Sequence, residues 1–171
     1  MAASEVLESA RLTLRPVAEA DVPRLVALWN DPTVRRVHGL GTEPLPEEAA
    51  RRWLAEPARP LAWIARERAG GRAVGVIEMS PLAAGAGADT DAFELGIALD
   101  AAARGRGLGR EMIARLCLWA FEERHAACVV AEVRQDNRPA LRAFAAAGFR
   151  PEGGAGEGEV VRMRRPRAGT S

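Results

Sequence analysis

The stretch Arg104-Gly105-Arg106-Gly107-Leu108-Gly109 follows an extended apolar run over residues 93–99 and opens into a strongly helical segment over residues 110–124. A strand, a glycine-rich turn and a helix N-terminus in this order make an anion-binding site. Glycine has no Cβ, so the backbone amides of such a turn can point inward, where the unpaired amides of the first helical turn also point. The sequence therefore predicts a phosphorylated ligand at this turn.

The spacing of the glycines distinguishes between the known phosphate-binding turns. The Walker loop requires a lysine after its second glycine. This chain contains no lysine, which excludes that loop. The dinucleotide fingerprint G-x-G-x-x-G fails because Arg110 stands where the third glycine is required. The pattern that fits is R/Q-x-x-G-x-G/A, with Arg104, Gly107 and Gly109 at its defining positions.

A second segment about thirty residues downstream is independent of the first in sequence. Residues 129–133 are rich in β-branched side chains and predict a strand. Asp136 or Asn137 can cap the helix that follows, and Gly148 suits its C-terminal end. The segment matches the pattern N-x-x-A-x-x-x-Y-x-x-x-G-F at Asn137, Ala140, Gly148 and Phe149, with Phe144 in place of Tyr.

Together these two segments resemble the acyl-coenzyme A loop and the downstream signature of the GNAT N-acetyltransferases. Residues 11–39 are similar to the branch that contains ribosomal-protein alanine N-acetyltransferases and aminoglycoside 6′-N-acetyltransferases; they hold an alternating strand and a helix that Asp21 is expected to cap. The resemblance covers residues 11–163, which we predict to form a single domain with flexible termini at residues 1–10 and 164–171.

The resemblance implies an α+β fold (α/β by some conventions), with a mixed, mostly antiparallel twisted sheet of about seven strands flanked by about four helices. Its fourth and fifth strands, residues 92–99 and 129–133, splay apart so that the cofactor enters between them. The remaining residues fit this order. They predict a helix over 46–56, a hairpin over 61–66 and 72–79, and final strands over 149–151 and 159–163, joined by a glycine-rich connection over 153–158. Residues 81–91 are expected to be a mobile loop.

The resemblance implies acetyl-coenzyme A as co-substrate and no metal. In the family, backbone amides of the turn hold the pyrophosphate, and the preceding strand pairs with the pantetheine arm and supplies an oxyanion donor, here near Ile97 or Ala98. The implied cofactor-binding residues are Ile97, Ala98, Leu99, Arg104, Gly105, Arg106, Gly107, Leu108, Gly109, Arg110, Asn137 and Phe144.

Transfer to an amine also needs a base, because the attacking nitrogen must lose a proton. Glu94 is the first candidate, since it lies on the predicted strand before the turn, near the place where related histone acetyltransferases carry a glutamate base. Glu78 on the neighbouring strand is the second candidate, and His38, in a predicted loop between the first two helices, is the third. The plainer interpretations are structural ion pairs for the glutamates and a surface position for the histidine.

Phe144 replaces the Tyr that many relatives use to protonate the departing thiolate, and the chain contains no Tyr. A thiol with a pKa of about 8.5 can leave unprotonated, so we expect transfer by direct attack of a primary amine. Two alternatives stay open at this point. One is a catalytically silent module that binds or senses acyl-coenzyme A, and the other is a binder of a different nucleotide or phosphate.

Composition limits the partners. The formal net charge of +1 over 171 residues gives no field for nucleic acid or an anionic membrane, although Arg162, Arg164, Arg165 and Arg167 form a basic cluster near the C-terminus, which is expected to be frayed. No apolar run is long enough for a signal or a membrane span, so a cytoplasmic protein is expected. Cys117 and Cys128 are expected to be small buried hydrophobes.

The acceptor is a small-molecule amine or a protein N-terminus, and sequence alone does not choose between them. Several acids lie in segments that could rim its pocket, and they mildly favour a cation: Asp89, Asp91, Glu43, Glu47 and Glu48. The oligomeric state is open, with a homodimer as one option.

Overall fold

The computed structural model describes residues 5–82, 91–152 and 160–168, and one eight-stranded sheet runs through them. Its spatial order is β1-β2-β3-β4-β5-β6-β8-β7. The β5–β6 pair is parallel and the other neighbouring pairs are antiparallel. The strands are β1 (Leu7–Glu8), β2 (Leu12–Pro16), β3 (Leu61–Glu67), β4 (Ala73–Pro81), β5 (Ala92–Leu99), β6 (Cys128–Arg134), β7 (Arg150–Pro151) and β8 (Val160–Pro166).

Helices cover both faces of this sheet. They are α1 (Val22–Trp29), α2 (Pro32–His38), α3 (Glu47–Ala55), α4 (Leu108–Glu122) and α5 (Arg138–Ala146). Helices α4 and α5 pack on the face that carries Trp63 and Ile77, whereas α1, α2 and α3 pack on the face that carries Ile64 and Val76. Adjacent residues of a strand point to opposite faces, so β3 and β4 contribute to two separate cores.

The parallel pairing between β5 and β6 is short. It joins Ala92 to Cys128, Phe93 to Val129 and Glu94 to Val130, and it ends there, although β5 continues to Leu99 and β6 to Arg134. The predicted mixed, mostly antiparallel sheet with splayed fourth and fifth strands is therefore confirmed, with these two strands now β5 and β6. The carboxyl-terminal halves of β5 and β6 border an open gap.

The sequence prediction of about seven strands and four helices missed two elements. The first is β1, whose Leu7 is buried and pairs with Leu14. The second is α2. His38 was predicted to lie in a loop between the first two helices, and this was wrong, because His38 is the last residue of α2. Asp31 accepts hydrogen bonds from the amides of Thr33 and Val34 and so begins a new helix, with Pro32 in its first turn.

Other predicted elements agree with the structure, with small shifts. Helix α4 begins at Leu108, two residues before the predicted start, and α3 and the β3–β4 hairpin lie within a residue or two of their predicted limits. The connection at 153–158, Glu159 and most of the predicted mobile loop at 81–91 lie outside the described residues. The domain limits stay a prediction, although β1 and the end of β8 place parts of both predicted termini in the sheet.

The basic cluster near the C-terminus is held by the fold rather than frayed. Arg162 and Arg164 lie on β8 and form ion pairs with Glu152 at 2.9 and 3.1 Å, and the Arg165 guanidinium lies 5.5 Å from the centroid of the Phe121 ring. Burial raises the pKa of Cys117 to about 12, so this thiol behaves as a small hydrophobe. Within the described residues, no helix has the length and apolar character that crossing a membrane requires.

Asp21 anchors the first helical layer to the sheet. The sequence predicted that it caps α1, but its side chain makes no capping hydrogen bond to that helix. The carboxylate instead accepts two hydrogen bonds from Arg15 of β2, at 2.6 and 2.8 Å, and one from the amide of Ala18 at 2.9 Å. Burial alone would raise the pKa of Asp21, which is 2% exposed, but these hydrogen bonds outweigh burial and hold the pKa below its ordinary value.

We expect Asp21→Asn to lower the free energy of unfolding by about 2 kcal/mol at pH 7, because Arg15 loses its counter-charge while keeping partial contact with water. The folded-state pKa of Asp21 is depressed, so its contribution is present above the unfolded pKa of about 3.9 and is lost as pH falls through the folded value. Urea denaturation at pH 7 and below pH 4 measures both effects. Glu19→Gln, which removes an exposed ion pair with Arg51, is the control and should cost less than about 0.5 kcal/mol. An equal loss in the two variants would contradict the anchoring role.

Candidate active site

The glycine turn presents free backbone amides at the end of β5. Gly105 and Gly107 have φ angles of +72° and +74°, a left-handed conformation that favours glycine, and Gly107 is the N-cap of α4. In the described part of the chain, no hydrogen bond uses the amides of residues 105–109 as donors. The N-terminus of a helix whose amides are unpaired favours a negatively charged group. The turn has the local structure that the sequence predicted.

Close packing places this turn against the gap. A Cβ at Gly109 would lie 2.9 Å from Cδ1 of Leu99, so the first turn of α4 lies close to the end of β5, and a side chain at residue 109 would require the Leu99 side chain to shift. The Arg104 guanidinium donates hydrogen bonds to the carbonyl of Leu99 and pairs with Asp31 at 2.7 Å. The Arg104 side chain is thus occupied by protein groups and fixes the turn to β5 and to α2.

A cavity of about 590 Å³ runs from the turn into the gap between β5 and α5. The side chains of two arginines at this cavity, Arg110 and Arg142, form no hydrogen bond or ion pair with any other described residue. Of the predicted cofactor-binding residues, the cavity brings together all except two: Ile97, Ala98, Leu99, Arg104, Gly105, Gly107, Gly109, Arg110, Asn137 and Phe144.

The two exceptions point elsewhere. The Arg106 guanidinium contacts the Glu67 carboxylate on β3, and the Arg106 backbone carbonyl accepts a hydrogen bond from the Arg11 side chain at 3.0 Å. The Leu108 side chain is buried in the core under α4. Within the part of the chain that the structure describes, the backbone amides of these two residues stay unpaired at the turn.

The backbone of Ile97 faces the gap. Between β4 and β5, the amide of Asp100 donates to the carbonyl of Val74, and the amide of Leu82 donates to the carbonyl of Ala92. Every second residue of β5, counted from Ala92, therefore forms a hydrogen-bonded pair with β4. Ala98 belongs to such a pair, and its backbone groups point to β4. The amide and carbonyl of Ile97 therefore point to the opposite edge, beyond the last β5–β6 pair.

His38 closes this edge from helix α2. Its Nε2 lies 3.2 Å from the Ile97 carbonyl, which can only accept, so Nε2 carries the proton and donates. The ring is open to the cleft but lies among protein atoms on several sides. This desolvation lowers the pKa of His38, while the hydrogen bond to Ile97 opposes the shift.

Three glutamates line a second cavity of about 290 Å³ on the α1–α3 face of the sheet. Glu78 lies opposite Gly96, and Glu94 lies opposite Ser80, so the two carboxylates are diagonal neighbours on adjacent strands. Glu132, on β6, lines the same cavity. A Cβ at residue 96 would lie 3.0 Å from Oε1 of Glu78, which shows that the Glu78 carboxylate rests directly over Gly96.

Burial raises the pKa of Glu78, and repulsion from Glu94 raises it further. A carboxyl group whose pKa is raised towards neutrality is a stronger base than an ordinary glutamate once it is ionised. His38, Glu78, Gly96 and Ile97 line both this cavity and a third one of about 300 Å³ beside it, whose other lining residues are almost all apolar. The predicted site residues on β4, β5 and α2 therefore meet at one point.

The structure also places residues that sequence reasoning missed or misplaced. Glu132 on β6 and Arg142 on α5 line the cavities but were not predicted. Four of the acids expected at the rim do not line these cavities: Asp91 lies directly before β5, Glu43 lies before α3, and Glu47 and Glu48 lie in the first turn of α3. Asp89 lies outside the described residues. No group of three side chains suited to binding a metal occurs among the described residues.

Phe144 forms part of the wall between the first two cavities. It is 3% exposed and packs edge-to-face on Phe149, with ring centroids 5.0 Å apart. Asn137 caps α5 by accepting a hydrogen bond from the Ala140 amide at 3.3 Å. Asp136, the other predicted cap, forms ion pairs with Arg36 of α2 and with Arg134 instead.

Comparisons with known proteins agree with this geometry. The family model of the acetyltransferase (GNAT) domain matches residues 11–150 of the chain. Among curated proteins, none matches the sequence. Several solved structures share the fold.

An acetyltransferase from Agrobacterium tumefaciens str. C58 is 25% identical, with a TM-score of 0.71 and 95% of each chain covered. A spermidine N-acetyltransferase from Vibrio cholerae, solved with CoA and spermine, is 19% identical, with a TM-score of 0.75 and coverage of 92% of this chain and 96% of that chain. An aminoglycoside acetyltransferase solved with coenzyme A is also 19% identical, with a TM-score of 0.75 and coverage of 91% and 95%. At 19% identity, the likeness shows the fold alone.

We expect Glu94→Gln to lower the pKa of Glu78, because it removes the repulsion while leaving the burial. The value should stay above that of an ordinary glutamate. The carbon chemical shift of the Glu78 carboxyl group, followed by NMR during a pH titration, measures the change. Glu132→Gln is the matched control, since it removes another carboxylate from the same cavity. An unchanged Glu78 titration in Glu94→Gln would show that the two carboxylates do not interact.

Proposed function

The chain belongs to the GNAT acetyltransferase family, and on that premise we propose that it transfers an acetyl group from acetyl-coenzyme A to a primary amine by direct attack. The observation that carries the proposal is the set of unpaired amides at residues 105–109, which open into the same gap as the Ile97 amide. Ile97 also lines the cavity that contains the Glu78 and Glu94 carboxylates. One cleft thus offers a site for a diphosphate, a donor for a carbonyl oxygen and a base.

The larger cavity fits the cofactor. Its glycine turn would bind the diphosphate through backbone amides, and the unpaired Arg110 and Arg142 would add positive charge for phosphate oxygens. The exposed edge of β5 would pair with the amide groups of the pantetheine arm as a neighbouring strand does. Arg104 and Arg106 would support the turn from behind, because their side chains already bind Asp31 and Glu67.

In the proposed reaction the amine nitrogen attacks the thioester carbonyl and the C–S bond breaks. The Ile97 amide would donate to the carbonyl oxygen as negative charge develops on it. Glu78 would accept the proton that the amine loses, directly or through water. We favour Glu78 over Glu94, the first candidate from sequence, because Glu78 lies where the acidic and apolar cavities meet and has a raised pKa.

The sulfur would leave as a thiolate. Phe144 has no proton to give, and the chain has no Tyr, so protonation would come from solvent. The alternative of a silent module that binds acyl-coenzyme A rests on Phe144 alone. The Glu78–Glu94 pair favours turnover, because two neighbouring carboxylates in one cavity raise the pKa of a base and are not needed to bind a cofactor at the turn.

The proposal also covers the identity of the acceptor and the branch of the family to which the chain is related. Two similar structures carry names that refer to spermidine and aminoglycoside acetylation, and this supports an amine acceptor. From the pattern of residues 11–39, we propose that the chain is related to the branch of the family that contains ribosomal-protein alanine N-acetyltransferases and aminoglycoside 6′-N-acetyltransferases. A protein N-terminus as acceptor, a homodimer and a cytoplasmic location stay predictions.

We expect Gly107→Glu to weaken coenzyme A binding at least about 100-fold, because it puts a negative charge where the diphosphate would lie. Isothermal titration with coenzyme A measures the dissociation constant. Gly70→Glu is the matched control: Gly70 also has a left-handed conformation, with φ of +84°, but lies in the β3–β4 turn. Retention of wild-type affinity by Gly107→Glu would refute the cofactor site, whereas loss in both variants would point to misfolding.

We expect Glu78→Gln to lower kcat about 100-fold or more without changing coenzyme A affinity, because it removes the base. A raised pKa means that activity is lost as pH falls through that raised value. Glu94→Gln should therefore keep much of the activity and shift the acidic limb of kcat/KM to lower pH. Thiol release from acetyl-coenzyme A, measured over pH, tests both variants. A larger loss in Glu94→Gln than in Glu78→Gln would exchange the two roles.

A further inference from the structure

The third cavity is an apolar chamber between the helical layer and the sheet. It is lined mainly by side chains from α1, α2, α3 and the segment between α2 and α3: Trp29, Val34, Leu40, Leu45, Ala49 and Trp53. Trp29, Leu40, Leu45 and Trp53 are only partly buried, and all of them except Leu45 pack against the core under this layer. Their apolar surface is available to an apolar group that enters the chamber, and its burial would be favourable.

The aromatic walls of the chamber are held in place by the protein. Trp29 and Trp53 meet edge-to-face at 85°, with ring centroids 5.5 Å apart. The Arg59 guanidinium lies 5.2 Å from the Trp53 ring centroid and fixes the ring by a cation–π contact. Leu45 is anchored through its backbone, which exchanges two hydrogen bonds with the Asn30 side chain at 2.8 and 2.9 Å. A pocket formed in advance in this way binds an apolar group without a large ordering cost.

The chamber is continuous with the acidic cavity. Glu78 lies at the boundary and is the one acid among the described residues that line the chamber. An amine nitrogen next to Glu78 therefore has carboxylates on one side and tryptophan and leucine side chains on the other. A second ammonium group in the chamber would lose its hydration without a carboxylate to pair with.

We propose that the preferred acceptor is a small primary amine that carries one compact apolar group, with arylalkylamines as its representative class. The proposal rests on the transferase function proposed above and specifies its acceptor. The apolar group would occupy the chamber of about 300 Å³, which has room for roughly ten water-sized groups, while the nitrogen would lie at Glu78. This acceptor differs from spermine and from aminoglycosides, which carry several cationic or polar groups.

The first test compares 2-phenylethylamine with ethylamine and spermidine as acceptors. We expect kcat/KM for 2-phenylethylamine to exceed both others by about tenfold or more, because only its ring fills the chamber. Thiol release from acetyl-coenzyme A measures the three rates. Equal or higher kcat/KM for ethylamine or spermidine would overturn the proposal and leave the transferase function standing.

Two variants locate the effect in the chamber. Leu45→Gln makes its wall polar and should lower kcat/KM for 2-phenylethylamine about tenfold more than for ethylamine. Ala49→Leu narrows the chamber and should also lower kcat/KM for 2-phenylethylamine more than for ethylamine. Leu54→Gln is the matched control, because Leu54 is also partly buried at this core but does not line the chamber. Thermal unfolding confirms that each variant is folded, and equal effects of Leu45→Gln and Leu54→Gln would overturn the assignment.

A binding experiment separates the failure of this proposal from the failure of the transferase function. Isothermal titration of 2-phenylethylamine into the protein saturated with coenzyme A needs no turnover. Binding that Leu45→Gln weakens, without acetylation of any amine, would support the chamber and refute the transferase. Absence of binding, with ethylamine still acetylated, would refute the chamber alone.

Discussion

The site depends on the parting of two parallel strands. Strands β5 and β6 pair over only three residues each, and beyond Glu94 the backbone of β5 has no neighbouring strand on that side. Backbone groups in a protein interior need partners, and here side chains supply them for the carbonyls: His38 donates to Ile97 and Arg104 to Leu99. The Ile97 amide points into the gap, where it is available to a ligand. An interrupted ladder thus provides a strand edge within the body of the sheet, where a ligand can pair without exposing the sheet to aggregation.

Helix α2 holds the two sides of this gap together. Its capping residue Asp31 pairs with Arg104 at 2.7 Å, and its Arg36 pairs with Asp136 at 2.7 Å, at the end of β6. His38, at its last turn, reaches β5. A single short helix therefore contacts the glycine turn, the open edge and the start of α5. This arrangement supports the gap: α2 binds the Ile97 carbonyl directly through His38, and through Asp31 it holds Arg104, which binds the Leu99 carbonyl.

Chemistry and recognition lie on the same face of the sheet because of strand register. Glu78, Gly96 and Glu94 share that face, and the small size of Gly96 lets the Glu78 carboxylate lie over β5. The packing of α1 and α3 on this face leaves a chamber with tryptophan walls next to the carboxylates. Acidic and apolar surfaces meet at one residue, Glu78. This juxtaposition suits a substrate that is charged at one end and apolar at the other.

Sequence determined the features that depend on local conformation. The glycine turn, the strand before it and the cap at Asn137 follow from residue type and spacing, because left-handed turns, periodic apolar faces and helix caps are short-range requirements. The resemblance then named half of the residues that line the larger cavity. Tertiary structure alone decided which backbone edge of β5 is free, that Glu78 rather than Glu94 lies at the cavity junction, and that α2 lies over the gap. These depend on register between strands and on packing between layers, and both are set by contacts between residues far apart in the chain.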